Sequence, residues 1–438
     1  MKSSDIFFWS SSFFLGGVFV ASIASGFSSA YLITFLTTLL IGLLLFYFRI
    51  SHVAFLLLTL IGSGYYFIFT NFAHGPEPIF GKKVELTGVV REAEQRLNSQ
   101  KLVVDKIQIT APRYPEFQYG DLIKATGTIK EPEAEFAGYF KKEGIAGLMQ
   151  FPQIEVVANN RGFWVKKQLL GVRHYIENVY KRVLPLEKAV FLSGLTLGST
   201  NEFSDEFKEK LRLSGTSHLV ALSGYNIAII VSAVSLLLGT WAFTKRFNLF
   251  ISVAVIALFV VMTGAEASVV RAAIMAFLVI LADKLQRMYY FRNSVAAAAL
   301  VMTAINPNLL AFDIGFQLSF AALLGIVYLA PWLKEKFPFL KKPSFLSWRE
   351  HFANTSSAQL AVLPLLLWHF SFFSPLGIIS NILILEFVPI TMALGFLIAG
   401  LSLFSGTLAW IVSFPANALL SWKIGVINLC SKIASLFL

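Results

Sequence analysis

The run Gly215-Thr216-Ser217-His218-Leu219-Val220-Ala221-Leu222-Ser223-Gly224-Tyr225-Asn226-Ile227 sets hydroxyls, an imidazole and a carboxamide between glycines, directly before the apolar stretch Ala228 to Leu238. Hydrocarbon offers such groups no partner, so they persist at the head of a spanning helix only where protein buries them or a wet cavity bathes them. The chemistry available from Ser217, His218, Ser223 and Asn226 is hydrogen bonding along a solvated path. Later apolar segments add groups of the same kind: Glu266 and Arg271 on Ala265 to Ala282, Asp313 and Gln317 on Leu309 to Trp332, and Asn381 and Glu386 on Leu376 to Leu401. Asp313 and Gln317 stand four apart and share a helix face, with Phe312 and Phe316 on the neighbouring one. Charges at depth need counter-charges, so Arg271 is expected to pair with Asp313 or Glu266, either as a clamp between helices or as a substrate contact. His218 and Ser223 do not align on one helical face as a base and nucleophile would, so no catalytic residue is expected. The single cysteine, Cys430, excludes an internal disulfide and a cysteine metal cage, and neither metal nor cofactor is expected.

The elements that must position these groups follow from composition. The chain of 438 residues is 56% hydrophobic and only 14% charged, against about a quarter charged in soluble globules. This implies a polytopic α-helical membrane protein of about ten or eleven spans, each near the ~20 residues that cross a bilayer. The formal charge of +11 fits basic cytoplasmic loops as well as it fits a polyanionic ligand. Apolar segments at Phe7 to Ser25, Ala30 to Phe48 and Val53 to Phe72 open the chain. Lys2 and Ala21-Ser22-Ile23-Ala24 resemble a signal peptide, but the two spans that follow favour a retained helix.

Residues 75–160 change composition and read as a small inserted β-barrel of OB type. Val84 to Val90 alternates apolar and polar residues, Leu102 to Ile109 does so less strictly, Ile123 to Ile129 follows a Tyr119-Gly120-Asp121 turn, and Gln153 to Val157 comes after a short helix within Glu135 to Gly147. Its charges nearly cancel and its first two strands carry few aromatic rings, so direct single-strand contact and a role as a cover over the bundle are both open. Residues 161–214 hold an amphipathic helix, with Leu169, Val172, Ile176, Val179 and Val183 on one stripe and Phe163-Trp164 as an interfacial anchor. Lying in the headgroup layer and steering a polyanion are its two readings. A second short helix is expected from a cap near Ser204.

Residues 215–438 form the last block, and there basic residues mark every second loop. Lys245 and Arg246, then Lys284, Arg287 and Arg292, then Lys334, Lys336, Lys341, Lys342 and Arg349 alternate with turns at Thr263-Gly264, Asn306-Pro307-Asn308 and Ser371 to Pro375 that lack Lys and Arg. With Lys2 and Arg49 this puts the basic loops in the cytoplasm, the β block outside it, and the entry of the helix starting at Ser217 outside as well.

In combination and order, Gly215 to Gly224, Thr263-Gly264 with Ser268 to Met275, and Asn306-Pro307 with Asp313-Ile314-Gly315-Phe316-Gln317-Leu318-Ser319-Phe320 resemble the successive motifs of the ComEC family of competence proteins. Tyr119-Gly120-Asp121 and Tyr139 to Gly144 are similar to that family's N-terminal extracytoplasmic domain. The resemblance implies a channel of the bacterial cytoplasmic (inner) membrane that imports single-stranded DNA during natural transformation. His218, Ser223, Arg271, Asp313 and Gln317 fall on its motifs, with a DNA receptor and a cytoplasmic helicase-like ATPase as partners. Membrane lipid, a separate nuclease and an oligomer complete the expected partners. Tyr225-Asn226 departs from the leucine and histidine of many relatives. No His-x-His-x-Asp-His cluster occurs up to Leu438, so a short form without the C-terminal metallo-β-lactamase-like domain is expected.

In this reading Ser217, His218, Ser223, Asn226 and Gln317 donate to the strand while Arg271 offsets its phosphate charge. No Gly-x-x-x-x-Gly-Lys-Ser/Thr loop is present, which assigns the pulling force to a partner. The alternative is a secondary transporter of a small polar or anionic solute, which would also carry polar groups at the midplane.

Overall fold

A computed structural model of the chain describes residues 3–24, 53–72, 80–96, 98–133, 136–222, 224–239, 248–341 and 348–436. The expected span Ala30 to Phe48, the basic markers Lys2, Arg49, Lys245, Arg246 and Lys342, and the site candidate Ser223 lie outside the described residues, as does the side chain of Tyr225.

Helices α1 (Ser3–Ala24) and α2 (Val53–Phe72) open the structure. They cross with backbones in contact. A Cβ added at Gly17 would run into the Thr59 carbonyl, one at Gly62 into the Phe14 carbonyl, and Ser63 Oγ donates to the Gly17 carbonyl at 3.0 Å. Small residues at these positions are what bring the helices close enough for that bond.

Six strands follow: β1 (Lys83–Gln95), β2 (Ser99–Val104), β3 (Ile107–Pro112), β4 (Leu122–Lys130), β5 (Gly147–Gln150) and β6 (Gln153–Ala158), with α3 (Ala137–Glu143) between β4 and β5. The ladder β1-β2-β3-β5-β4 closes because β1 also pairs with β4, and β6 adds to the outside of β4. A register shift between Val90 and Glu92 lets β1 bend, so that Lys83 to Val89 pair with β4 and Val90 onward with β2. Alternation then points Val90, Leu102, Val104, Ile109, Ile123, Ala125 and Met149 into one closed core. The expected single strand Leu102 to Ile109 is instead two strands: Asp105 turns the chain at φ +52 and β2 pairs with β3. β5 pairs parallel with β3 and was not expected at all.

The remaining helices are α4 (Trp164–Val183), α5 (Leu186–Leu197), α6 (Asp205–Leu213), α7 (Gly224–Gly239), α8 (Asn248–Thr263), α9 (Ala267–Lys284), α10 (Phe291–Ile305), α11 (Leu309–Phe312) and α12 (Ile314–Leu324). A π turn, Gly325–Leu329, joins α12 to α13 (Ala330–Lys336). Then come α14 (Trp348–Phe370), α15 (Gly377–Ile384), α16 (Val388–Ser402) and α17 (Gly406–Ala434). Among the described residues, four helical stretches are long and apolar enough to cross a bilayer: Asp5–Ala24, Ile314–Lys336, Gly377–Ser402 and Gly406–Ala434. That is fewer than the apolar runs suggested. Phe291–Ile305, for example, forms a helix of 15 residues, short of the ~20 a perpendicular crossing needs.

One core joins α4 to α7, α9, α16 and α17 through Tyr180, Phe191, Leu195, Ile227, Val269, Met392, Leu420 and Ile427. The apolar stripe of α4 is occupied by protein, since Ile176, Val179 and Tyr180 are buried in that core while Phe163 and Trp164 stay exposed. Arg173 donates to the Met262 carbonyl at 3.4 Å, and Tyr175 and Ser402 hydroxyls share a bond of 2.8 Å. Helix α5 is buried from Ala189 to Leu197, where no residue is charged.

Gly62→Val should destabilise the protein by about 1–3 kcal/mol through forced separation of α1 and α2. Gly64→Val, at a position with open space, should be nearly neutral. Thermal unfolding of the two variants in one detergent measures the difference.

Candidate functional site

The Gly215 turn is built by the end of α6 and the start of α15. Ser204 caps α6, accepting from Phe207 N at 3.2 Å, and the helix stops where Gly215 takes φ +69. A Cβ there would lie 2.6 Å from Gly377 Cα, so only glycine permits both the left-handed turn and the approach of α15. Hydroxyls stitch the contact: Ser374 Oγ donates to the Leu213 carbonyl at 2.6 Å, Ser380 Oγ to the Ser214 carbonyl at 2.7 Å, and Ser214 and Thr216 hydroxyls lie 2.6 Å apart.

The polar run does not open a continuous helix at Ser217. Ser217–Leu219 form a 3-10 turn and α7 begins at Gly224. The reason lies in the apolar residues of the run, because Leu219, Val220 and Leu222 turn into the core and leave Ser217 and His218 exposed. Carbonyls freed by the irregular backbone are taken up by neighbours, as where Ser268 Oγ donates to Leu222 O. Asn226 is not free to face a lumen; it is buried and its Nδ2 donates to the Leu195 carbonyl at 3.0 Å, tying α7 to α5.

Arg271 lies beside this turn. Its Nη2 is 3.4 Å from the position a Cβ on Gly224 would occupy, at the first residue of α7. The expected pair with Asp313 or Glu266 does not form. Arg271 Nη1 donates to the Ser319 carbonyl, its guanidinium stands over the Phe320 ring at 5.6 Å, and its Nε is buried with no partner. Only 7% of Arg271 is exposed. Glu266, just before α9, is on the exposed side of the turn.

Asp313 serves a junction instead. Its Oδ1 caps α12, accepting from Phe316 N at 3.0 Å, while Oδ2 lies 3.2 Å from Lys142 Nζ at the end of α3. The last carbonyls of α3 are capped by the preceding motif, Asn306 Nδ2 donating to Lys142 O at 2.9 Å and Asn308 Nδ2 to Lys141 O at 3.3 Å. Gly138 lets the Phe312 ring approach to 3.1 Å of its Cβ position. The Asn306 to Asp313 motif is therefore the seat of the barrel's helix. Burial works against the charge of Lys142, but the Asp313 and Glu143 carboxylates beside it raise its pKa above the ordinary lysine value. Gln317 is spent locally, its Nε2 donating to the Leu310 and Ala311 carbonyls where α11 breaks off.

Asn381 is buried on α15, and Glu386 sits in the 3-10 turn Leu385–Phe387 between α15 and α16, its Oε2 2.7 Å from His351 Nε2. At the start of α16 the Phe387 carbonyl, which also accepts from Thr391 Oγ1 at 2.6 Å, receives Lys423; that lysine is fully buried on α17 and donates to the carbonyl at 3.3 Å and to Thr391 Oγ1 at 2.7 Å. Sequence reasoning missed Lys142, His351 and Lys423; of these Lys423, a cation within an apolar stretch of α17, carried the available signal. Thus Arg271 and Asn226 lie at the start of α7, after the turn that exposes Ser217 and His218, while Glu266 stands within electrostatic range of Arg173, Lys142 and Asp313. Asp313 and Gln317 belong to the barrel junction, and Asn381 and Glu386 to the α14–α15 side.

Residues 195–437 match the family model described as Competence protein. The chain belongs to the competence protein family. The chain is also 25% identical over 287 residues to ComE operon protein 3 of Bacillus subtilis (strain 168), an alignment covering 64% of this chain and 35% of that protein. The chain thus spans about a third of the length of that curated relative. No solved structure matches. The match begins within α5 and includes the Gly215 turn, Arg271 and the Asn306 to Asp313 seat.

In this competence protein Asp313→Asn should retain the α12 cap and lose the Lys142 pair, matching Lys142→Ala in unfolding. Asp313→Ala should cost about 1 kcal/mol more, because alanine cannot cap. Urea unfolding of the three variants in detergent checks the order.

Proposed function

We propose that this chain forms a conduit across the bacterial cytoplasmic membrane for single-stranded DNA entering during natural transformation. The observation that carries the reading is Arg271, a buried guanidinium with no carboxylate in ion-pair range among the described residues and with Nε unsatisfied. A cation held this way in an apolar bundle is costly unless an anion visits it. A single strand brings a phosphate with every nucleotide, and the α7 N-terminus beside Arg271 favours the same charge. Ser217 and His218, exposed on the same turn, add neutral hydrogen-bonding groups that hold a strand weakly enough to let it move.

The barrel supports the reading from outside the bundle. Its strand order is that of OB-type barrels, which hold oligonucleotides with the β2–β3 face and the loops after β1 and β4. Here the connection after β4 carries α3 and is the part seated on Asn306, Asn308 and Asp313. A strand lying along that face would be delivered to the bundle. In this account the barrel is extracytoplasmic, a DNA receptor supplies the strand, a helicase-like ATPase pulls it, and a separate nuclease removes its complement.

At matched membrane abundance, Arg271→Ala should lower internalisation of radiolabelled DNA by at least about tenfold, ~1.4 kcal/mol, with Arg271→Lys partly restoring it. Uptake equal to wild type in Arg271→Ala would contradict the proposal. Strand entry that survives deletion of the chain, together with loss of uptake of a small anion, would favour a solute transporter.

A further inference from the structure

Between the end of α4 and the start of α17 the surface opens into a cavity of about 300 Å³, about ten times the ~30 Å³ that a water occupies in the liquid. Small residues make the room. Gly406 lines it from α17, and a Cβ added there would meet nothing within 4 Å. Val179, Val183 and the Trp410 ring form apolar walls, and of the residues lining the cavity Arg182 alone is charged. Arg182 is exposed and, among the described residues, has neither an ion pair nor a side-chain hydrogen bond. Its neighbours are taken: Lys181 reaches Glu202 at 2.6 Å, and Glu177, the one acid on α4, is held by Arg173 at 3.2 Å. At the other end of the cavity Ser402 Oγ donates to the Ala399 carbonyl at 2.7 Å and lies 2.8 Å from the Tyr175 hydroxyl. The Tyr175 proton therefore joins the two hydroxyls, and the Tyr175 oxygen is left to accept.

The helices that end at the cavity give its level. The apolar stretches Gly377–Ser402 and Gly406–Ala434 are each long enough to cross a bilayer and are separated here by three residues, so both leave the hydrocarbon at this point. Tyrosine and tryptophan gather at that level, and arginine there presents its charged head to the lipid headgroups. The rim is apolar, with Leu403 70%, Phe404 86% and Phe414 53% exposed. One unpaired cation in a cleft with an oily rim complements a molecule that has an anionic head and hydrocarbon tails.

We propose that this cavity binds the headgroup of an anionic glycerophospholipid, with the phosphate on Arg182 and the acyl chains laid along Trp410 and Phe414. The site stands apart from the conduit reading. The planar guanidinium offers paired N–H donors to the two free oxygens of a phosphodiester, and a headgroup hydroxyl, such as those of phosphatidylglycerol, donates to the Tyr175 oxygen. A polynucleotide also brings phosphodiesters but has no tail to cover Leu403, Phe404 and Phe414. The lipid fits both halves of the site.

The test is native mass spectrometry of the full chain in detergent, titrated with phosphatidylglycerol or with phosphatidylcholine of the same acyl chains. The proposal expects the first phosphatidylglycerol to bind at least about tenfold more tightly than the first phosphatidylcholine. Arg182→Ala should weaken phosphatidylglycerol by at least about fivefold and leave phosphatidylcholine unchanged, with Arg182→Lys between. Arg287→Ala, which removes an exposed cation outside the cavity, should change neither. Equal affinity for the two lipids, undiminished phosphatidylglycerol binding by Arg182→Ala, or an equal loss in Arg287→Ala would overturn the site. Displacement of the lipid by the same concentration of water-soluble glycerophosphoglycerol would make it a free-phosphate site, and displacement by a single-stranded homopolymer a strand site; either result contradicts the proposal. Should Arg182→Ala unfold more readily than wild type in lipid-free detergent, Gly406→Leu decides. That variant fills the cavity and keeps the cation, so phosphatidylglycerol affinity must again fall, and full affinity would overturn the proposal.

Discussion

Everything in this bundle is governed by the need of polar groups in apolar surroundings to find a partner. Helix breaks are how the chain meets it. Where α15 gives way to α16, the Phe387 carbonyl and Thr391 receive the fully buried Lys423. Where α11 ends, Gln317 takes its carbonyls and Asp313 caps the helix that follows. Where α7 fails to start until Gly224, Asn226 and Ser268 satisfy carbonyls of α5 and of the turn. Each break would be expensive alone, and each is compensated by a side chain from another element, so the breaks also fix how the helices sit together.

Against that background the uncompensated groups carry the most information. Arg271 keeps one bond to Ser319 and an orphaned Nε, and the α14–α15 interface keeps its orphaned oxygens. Arg271 lies by Gly224 at the start of α7, and α15 meets the Gly215 turn at Gly377; Ser217 and His218 are exposed between the two. The barrel is seated by the same physics in reverse. The carbonyls at the end of α3 are capped by amides from the helical part, and Lys142 completes Asp313. Further bonds tie the barrel to the start of α4, from Phe163 N to the Tyr119 hydroxyl at 3.0 Å and from Lys166 Nζ to the Arg91 carbonyl at 3.2 Å.

Much of this was legible in the sequence where a local rule decides. Alternation located β1, β4 and β6, the Ser204 cap located α6, and the polar run from Gly215 marked the turn. What escaped depends on contacts distant in the chain. Nothing in Leu102 to Ile109 announces that Asp105 turns the strand back on itself, because the two halves share one alternation. Arg271 and Asp313 looked like partners by charge, but the lysine that answers Asp313 lies on a barrel helix far away in sequence. The polar run in α14 supplied no site candidate, since its contacts, such as Gln359 with Gly377, are made to elements distant in the chain. Asn226 and Gln317 were expected to donate along a path; in this structure each donates to carbonyls of its own chain.

The central claim, that Arg271 awaits a phosphate, is tested most directly by electron cryomicroscopy of the chain in lipid nanodiscs with a single-stranded homopolymer bound. The account predicts strand density beside the first turn of α7, with a backbone phosphate in hydrogen-bonding reach of the Arg271 guanidinium. A guanidinium turned onto a carboxylate of its own chain, with the strand elsewhere, would contradict it.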